Sequence, residues 1–226
     1  VTKAATQRSE RVFERGEAQD AILDAAEIAF AASGFHGATT RAIAEGAGAN
    51  AALIHYYFGS KEALFEAVIA RRSGAINDER RDRLAALHAA GNVTLEAVID
   101  ALLRPTITLG HDSTRGGAHF TRLLSHVASG TDERSVRITS TYYDAIARVF
   151  IDELRAVVPG LDRAAAVRGY LNAVAIGISL MAPTGRRQVL SGGVSRAEDA
   201  EDVDDTLDGA VRFIAAGIRA LARPAA

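Results

Sequence analysis

Thr39-Thr40-Arg41-Ala42-Ile43-Ala44-Glu45-Gly46-Ala47-Gly48-Ala49-Asn50-Ala51-Ala52-Leu53-Ile54-His55-Tyr56-Tyr57-Phe58-Gly59-Ser60-Lys61-Glu62-Ala63-Leu64-Phe65 contains two short helical runs, a glycine turn between them and a capped third run after them. In the first run Thr39 or Thr40 is the N-cap, Ile43, Ala44 and Ala47 share an apolar face, and Gly48 stands where the chain must reverse with positive φ. Asn50 caps the second run, in which Leu53, Ile54 and Tyr57 anchor a helix of only about two turns, too short to be stable alone. Support is available from Ile22, Leu23, Ala26, Ala29 and Phe30, a run closed by Gly34, and from Leu64, Phe65, Val68 and Ile69 on the far side. A helix, a tight turn and a second helix leaning on two neighbours is the order of a DNA-reading helix-turn-helix unit.

The residues left facing outward suit such a partner. Ala51 and Ala52 are small enough to let a helix sit deep in a major groove, where alanine methyls touch thymine methyls. Arg41 can grip a guanine bidentately, and His55, Tyr56, Tyr57 and Lys61 can reach phosphate oxygens, with Thr39, Thr40, Asn50 and Leu53 completing the expected contact set. Ser60 caps the next helix, whose first N–H groups also point at an anion. Plainer roles exist for the same residues: Phe58 reads first as core, Tyr57 equally as core or contact, and Arg41 and Lys61 as solvated charges.

These motifs together resemble the N-terminal DNA-binding domain of the TetR family of transcriptional regulators. The resemblance spans Ala21 to Ala70 and rests on Ile22-Leu23-Asp24-Ala25-Ala26 with Phe30 and Gly34-Phe35, on Thr39-Thr40-Arg41 with Ile43-Ala44 and Gly48, and on Tyr56 through Phe65. Two departures stand out: His55 occupies a position where many members carry tyrosine, and Ala51 and Ala52 offer little polar readout. The resemblance implies an all-α protein in which residues 17–66 bind DNA and residues 67–226 form a helical ligand-binding and dimerisation domain. It implies a homodimeric regulator, more often a repressor, that acts on a palindromic double-stranded operator and is released by a small molecule.

Composition is compatible with that reading. The chain has 226 residues, 48% of them hydrophobic, enough for one large core or two modest ones. Its formal net charge is −2, so attraction for DNA must come from local placement rather than overall charge. Absence of cysteine excludes disulfides and thiolate metal sites. No apolar h-region follows the basic start, and the longest apolar run, Val174 to Ala182, is too short to span a bilayer; a cytoplasmic location without membrane association is the default expectation. Residues 1–16, with Lys3, Arg8, Arg11 and Arg15, read as a flexible basic arm.

Beyond Ser60 a helix is expected to about Ala90, with the charged stretch Asp78 to Arg83 outside and Leu84 and Leu87 inside. Further helices are expected over Thr94–Leu109 with Pro105 in its last turns, Gly117–Ala128, Asp132–Val158, Asp162–Met181 and Asp202–Ala222, with almost no strand signal. The middle helices supply candidate pocket residues Leu103, Thr106, Phe120, Leu124, Tyr143, Ile146, Phe150 and Tyr170; most residues of this kind are core, and the resemblance is what favours a cavity among them. Tyr and Thr hydroxyls among apolar residues favour a mostly apolar ligand with a few polar atoms. The last two long helices carry apolar stripes, Ala173, Val174, Gly177, Ile178 and Met181 on one and Leu207, Val211, Ile214 and Ile218 on the other, read as a dimer interface or as packing within one chain.

His111, His119 and His126 with Asp112 form a looser group. His119 and His126 are seven positions apart, without the close spacing of a metal pair, so no metal, no catalytic residue and no cofactor is expected, only a small-molecule effector. Two competing classes are a helical carrier of apolar ligands, which leaves Arg41, Tyr56, Tyr57 and Lys61 without a purpose, and an α-helical hydrolase or metalloenzyme resting on the histidines alone.

Overall fold

The computed structural model describes residues 16–112, 116–181, 186–193 and 200–222, and among them there is no β-strand. The helices are α1 (Glu17–Gly37), α2 (Thr40–Ala47), α3 (Ala51–Phe58), α4 (Lys61–Ala89), α5 (Leu95–His111), α6 (Gly117–Ser129), α7 (Glu133–Val157), α8 (Arg163–Met181), the short α9 (Arg186–Leu190) and α10 (Ala200–Leu221). The expected basic arm lies outside the described residues except for Gly16.

The chain divides into two compact units between Arg71 and Arg72, inside α4 rather than at its start. The boundary falls there because the opening turns of α4 belong to the first core: Leu64, Phe65, Val68 and Ile69 are buried with Ile22, Phe30, Ile43 and Ile54. Phe65 meets Phe30 edge to face at 4.9 Å and Phe35 at 5.3 Å. Arg71 closes this unit by pairing with Asp24 at 2.9 Å and with the buried Glu27 at 3.3 Å. Gly34 (φ 67°) interrupts α1, which lets Phe35 turn back onto the same ring cluster.

In the second unit α8 packs against α5, α6, α7 and α10, and α10 also lies along α5. Two charged pairs border the α5–α10 contact, Arg104 to Asp204 at 2.6 Å and Arg219 to Glu96 at 2.7 Å. By length and composition α8 is apolar enough to cross a membrane, with 19 residues at a mean hydropathy of 1.4; here it is the packed helix of a bundle. Helix α5 runs through Pro105, whose ring removes one N–H from the ladder.

One sequence expectation needs correction. Within the charged stretch of α4, Asp78, Glu79, Arg81 and Asp82 are exposed, but Arg80 is buried. It shares the inward stripe Ser73, Ile76, Asn77, Arg80 and Leu84, whose alternating three- and four-residue spacing follows the helical period.

Gly110 of α5 is placed so that an added Cβ would fall against the backbone carbonyl of Met181 in α8. Gly110→Ala should therefore lower stability by about 1 to 3 kcal/mol through overpacking, read as a lower midpoint in urea unfolding. An unchanged midpoint would mean that α5 and α8 do not approach so closely.

Candidate functional site

The short helices of the first unit are held at every end. Thr39, not Thr40, caps α2, its Oγ1 accepting from the Ala42 N–H at 3.1 Å, and Gly48 (φ 66°) closes it by donating to the carbonyls of Ala44 and Glu45. Asn50 Oδ1 accepts from the Ala52 N–H at 2.8 Å to start α3, and Ser60 Oγ accepts from the Ala63 N–H at 3.1 Å to start α4. Together these side chains set the angle at which α3 leaves the turn. Ile54 faces the core with no exposure, Leu53 and Phe58 are partly buried, and Ala51, Ala52, His55, Tyr56 and Tyr57 lie outside.

Tyr56 is 80% exposed and its ring meets that of Tyr57 edge to face at 5.1 Å. Tyr57 is less exposed, at 36%, and its ring also meets that of Phe58 at 6.3 Å. His55 Nδ1 lies 3.0 Å from the Gly59 carbonyl; its N–H donates there, closing α3 and leaving Nε2 for a partner.

The two flanking cations are held differently. Arg41 stands on α2, the first helix of the pair, and makes an exposed ion pair with Glu45 at 3.0 Å. In helix-turn-helix docking the first helix crosses the sugar–phosphate backbone while the second enters the groove. Lys61 is structural as well: its Nζ donates to the Ala38 carbonyl at 2.8 Å and sits 4.5 Å from the centre of the Phe35 ring. It ties the end of α1 to the start of α4.

The second unit encloses a cavity of about 440 Å³ among α4, α5, α6, α7 and α8. Of the residues expected in a pocket, Leu103, Thr106, Leu124, Tyr143 and Tyr170 line it. Phe120, Ile146 and Phe150 do not; they are fully or almost fully buried in the core behind it. The reason is helical phase. On α7 the cavity takes Thr139, Tyr143, Ala147 and Ile151, whereas Ile138, Ile146, Phe150 and Leu154 form the adjoining buried stripe; on α6 Leu124 and Ala128 face inward beside the stripe of Phe120, Leu123 and Val127.

Of the two roles open to the stripes on the last long helices, packing within the chain accounts for most of their residues. Ala173, Met181, Leu207, Val211, Ile214 and Ile218 are buried inside the unit, and Val174, Gly177, Ile178 and Met181 line the cavity. A side chain that fills its own core cannot also meet a second chain. The exposed apolar residues are Leu171, 57% exposed at the rim of the cavity on α8, and Phe213, 72% exposed on α10, followed by Ala216, Gly217 and Ala220.

Polar groups gather at one side of the cavity. Ser73 Oγ and Tyr143 Oη are 2.6 Å apart, Asn77 Nδ2 donates to the Tyr142 carbonyl at 2.8 Å, and Arg80 Nε donates to the Leu102 carbonyl at 2.9 Å. Burial raises the Tyr143 and Tyr170 phenols above their ordinary range, and the Arg80 charge pulls both back. Both are therefore neutral hydroxyls at physiological pH. Sequence inspection overlooked Arg80 because it sits among solvated charges, although its spacing of four from Leu84 marked the inward face.

The histidines do not converge. His111 Nδ1 is 2.9 Å from the Ile107 carbonyl, His119 and His126 are exposed on α6, and among the described residues no three His, Cys, Asp or Glu side chains come together.

Comparison with known proteins follows the same division. Residues 22–68 match the family model described as bacterial regulatory proteins, tetR family, and residues 100–217 match that of the tetracyclin repressor-like C-terminal domain, more than half the chain. The chain belongs to the TetR family. No curated protein matches the sequence significantly. Among solved structures, the fatty acid degradation regulator FadR from Bacillus halodurans is 16% identical with a TM-score of 0.62, covering 93% of this chain and 100% of its own. A TetR-like transcriptional regulator from Rhodococcus sp. RHA1 is 19% identical with a TM-score of 0.60, covering 91% of this chain and 100% of its own. At these identities the likeness is one of fold. This TetR-family chain thus has the helix-turn-helix unit and the helical C-terminal domain of transcriptional regulators.

Lys61→Met should cost about 1 to 2 kcal/mol of stability, because a buried-side carbonyl loses its donor and Phe35 its cation, whereas Arg41→Ala should change stability by less than about 0.5 kcal/mol. Urea unfolding of the two variants checks this; equal effects would mean that the Lys61 contacts contribute nothing.

Proposed function

We propose that this protein is a ligand-responsive transcriptional repressor that binds a palindromic operator as a homodimer and leaves it when a small, mostly apolar molecule occupies the C-terminal cavity. The observation that carries the reading is the outward face of α3: Ala51, Ala52, His55 and Tyr56, exposed on a helix whose two ends are fixed by Asn50 and Gly59. Alanines let the helix enter the major groove, and the histidine and tyrosines reach phosphates at its rim. Thr39, Thr40 and Arg41 at the start of α2 and the free donors of Lys61 supply further backbone contacts. The protein acts in the cytoplasm, where its operator is, with no catalysis and no metal or cofactor.

One helix in a groove binds weakly, and two in register read both halves of a palindrome about 34 Å apart. The exposed Leu171 and the Phe213–Ala216–Gly217–Ala220 face of α10 are the surface offered to a second copy. An added Cβ at Gly217 or Gly209 would meet nothing within this chain, so the backbone there is open to a close neighbour. Phe213→Asp should shift the protein toward monomer in sedimentation analysis and abolish tight operator binding.

The route from cavity to operator runs along α4. Tyr143 and Thr106 line the cavity and are bonded to Ser73 and Arg80 of that helix. A ligand that rearranges these bonds biases the position of α4, and a bias of about 1 to 3 kcal/mol weakens operator binding 5- to 150-fold.

Selection from random duplex DNA, followed by titration of the enriched site at several salt concentrations, tests the proposal. An inverted repeat with salt-dependent affinity is expected, and Arg41→Ala should weaken all sequences alike and flatten the salt slope by about one unit. Loss of preference at a single base pair would return Arg41 to the base-reading role. No enrichment at low salt would overturn the operator reading.

A further inference from the structure

Arg80 is 8% exposed and lines the cavity, yet every acceptor it has is neutral. Its Nε donates to the Leu102 carbonyl at 2.9 Å, one terminal nitrogen to Asn77 Oδ1 at 3.1 Å and the other to Thr106 Oγ1 at 2.9 Å. A guanidinium has five N–H groups, so these three bonds leave about two without an acceptor, one on each terminal nitrogen. Among the described residues Arg80 makes no ion pair. Carboxylates close by in sequence or on the cavity wall are engaged elsewhere: Glu79 pairs with Arg83 at 2.9 Å, Asp100 with Arg104 at 2.8 Å, and the half-exposed Asp144 accepts from Ser140 and faces Arg148 at 3.6 Å.

A buried charge without a counter-charge is costly, and folded proteins pair such groups or bring a ligand to them. Burial does push the Arg80 guanidinium below its ordinary range, but an arginine remains charged inside a protein. Tyr143 and Tyr170 line the cavity too, and both are neutral hydroxyls that can donate a hydrogen bond. Most of the remaining wall is apolar, built from Leu103, Ile107, Leu124, Ile151, Val174 and Ile178, and a second charged group, Asp144, Arg148 and Arg163, also borders the cavity.

We infer that the cavity takes an amphipathic acid, a single carboxylate on an apolar body, with the carboxylate seated against Arg80 and Tyr143 or Tyr170 and the body among the α5, α6 and α8 side chains. The inference rests on the reading of this cavity as the effector site and adds the class of effector. A planar carboxylate matches the two spare N–H groups of a guanidinium, and a cavity of about 440 Å³ is the size of a small-molecule site. Binding supplies the counter-charge that the empty protein lacks, and it places the ligand on a residue of α4 itself.

The test uses decanoate, decanol and methyl decanoate as probes, titrated calorimetrically into the full-length protein without DNA. Decanoate should bind on the order of tenfold or more tightly than either neutral probe, as expected for a charge-assisted hydrogen bond in a buried site. Arg80→Gln should remove that preference, so that decanoate binds no more tightly than decanol in the same variant. Because Arg80 also holds α5, Arg80→Lys is the second variant: it keeps the charge but loses the fork, and should retain part of the preference. Equal binding of acid and alcohol by the unaltered protein overturns the inference without need of any variant, and so does binding of none of the three probes. A preference that survives Arg80→Gln but is lost in Arg148→Gln would place the head at the other charged wall and also overturn it. Decanol binding without acid preference would leave the effector-cavity reading standing, and a failed operator selection would leave the acid preference standing.

Discussion

A guanidinium enclosed within the C-terminal unit is the constraint around which that unit is arranged. Arg80 has to find acceptors for its N–H groups, and it takes them from Leu102 and Thr106 of α5 and from Asn77 of its own helix. The same face of α4 reaches α7 through Ser73 and Asn77. Three elements are thereby bound to one polar row, in the turns of α5 that Pro105 interrupts. An apolar row in place of Ser73, Asn77 and Arg80 would give a drier and simpler core. The polar one joins α4 to α5 and α7 beside the cavity.

The N-terminal unit solves a different problem. Its α2 and α3 have eight residues each, too few to persist by their own hydrogen bonding. Stability comes from Ile43, Ala44 and Ile54 anchored beneath them and from caps at Thr39, Gly48, Asn50 and Gly59. Short helices held by their ends and inner faces leave the outer face free of structural duty, and there the chain places Ala51, Ala52, His55 and Tyr56. Lys61 shows the reverse economy: a residue that looks like a surface cation is used to join two helices across the Ala38 carbonyl and the Phe35 ring.

Most of the architecture was legible because helical signals are local. Caps, positive-φ glycines and apolar periodicity act over a few residues, and they located α2, α3 and the ends of α4 through α8 closely; only the short α9 had no clear signal. Side-chain destinations were less legible. Phe120, Ile146 and Phe150 are as apolar as Leu103 and Leu124, and a rotation of one position about the helix axis decides whether such a residue faces a void or the core behind it. Composition cannot resolve that angle. The stripes on α8 and α10 were read correctly as apolar faces, but a stripe does not say which partner covers it, and here each covers the other and α5.

The amino-acid sequence by itself determined the all-α class, the helix-turn-helix order and the residues that cap it, since all of these follow from interactions within one or two turns of chain. Tertiary structure alone decided that Lys61 is tied down, that the cavity lies among α4 to α8, and that Phe213 rather than Ile214 faces outward. Burial and electrostatic partnership are properties of the assembled bundle. Arg80 illustrates the division: its neighbours in sequence are solvated charges, and only the assembled unit, in which its face of α4 is bonded to α5 and α7, makes it a buried cation.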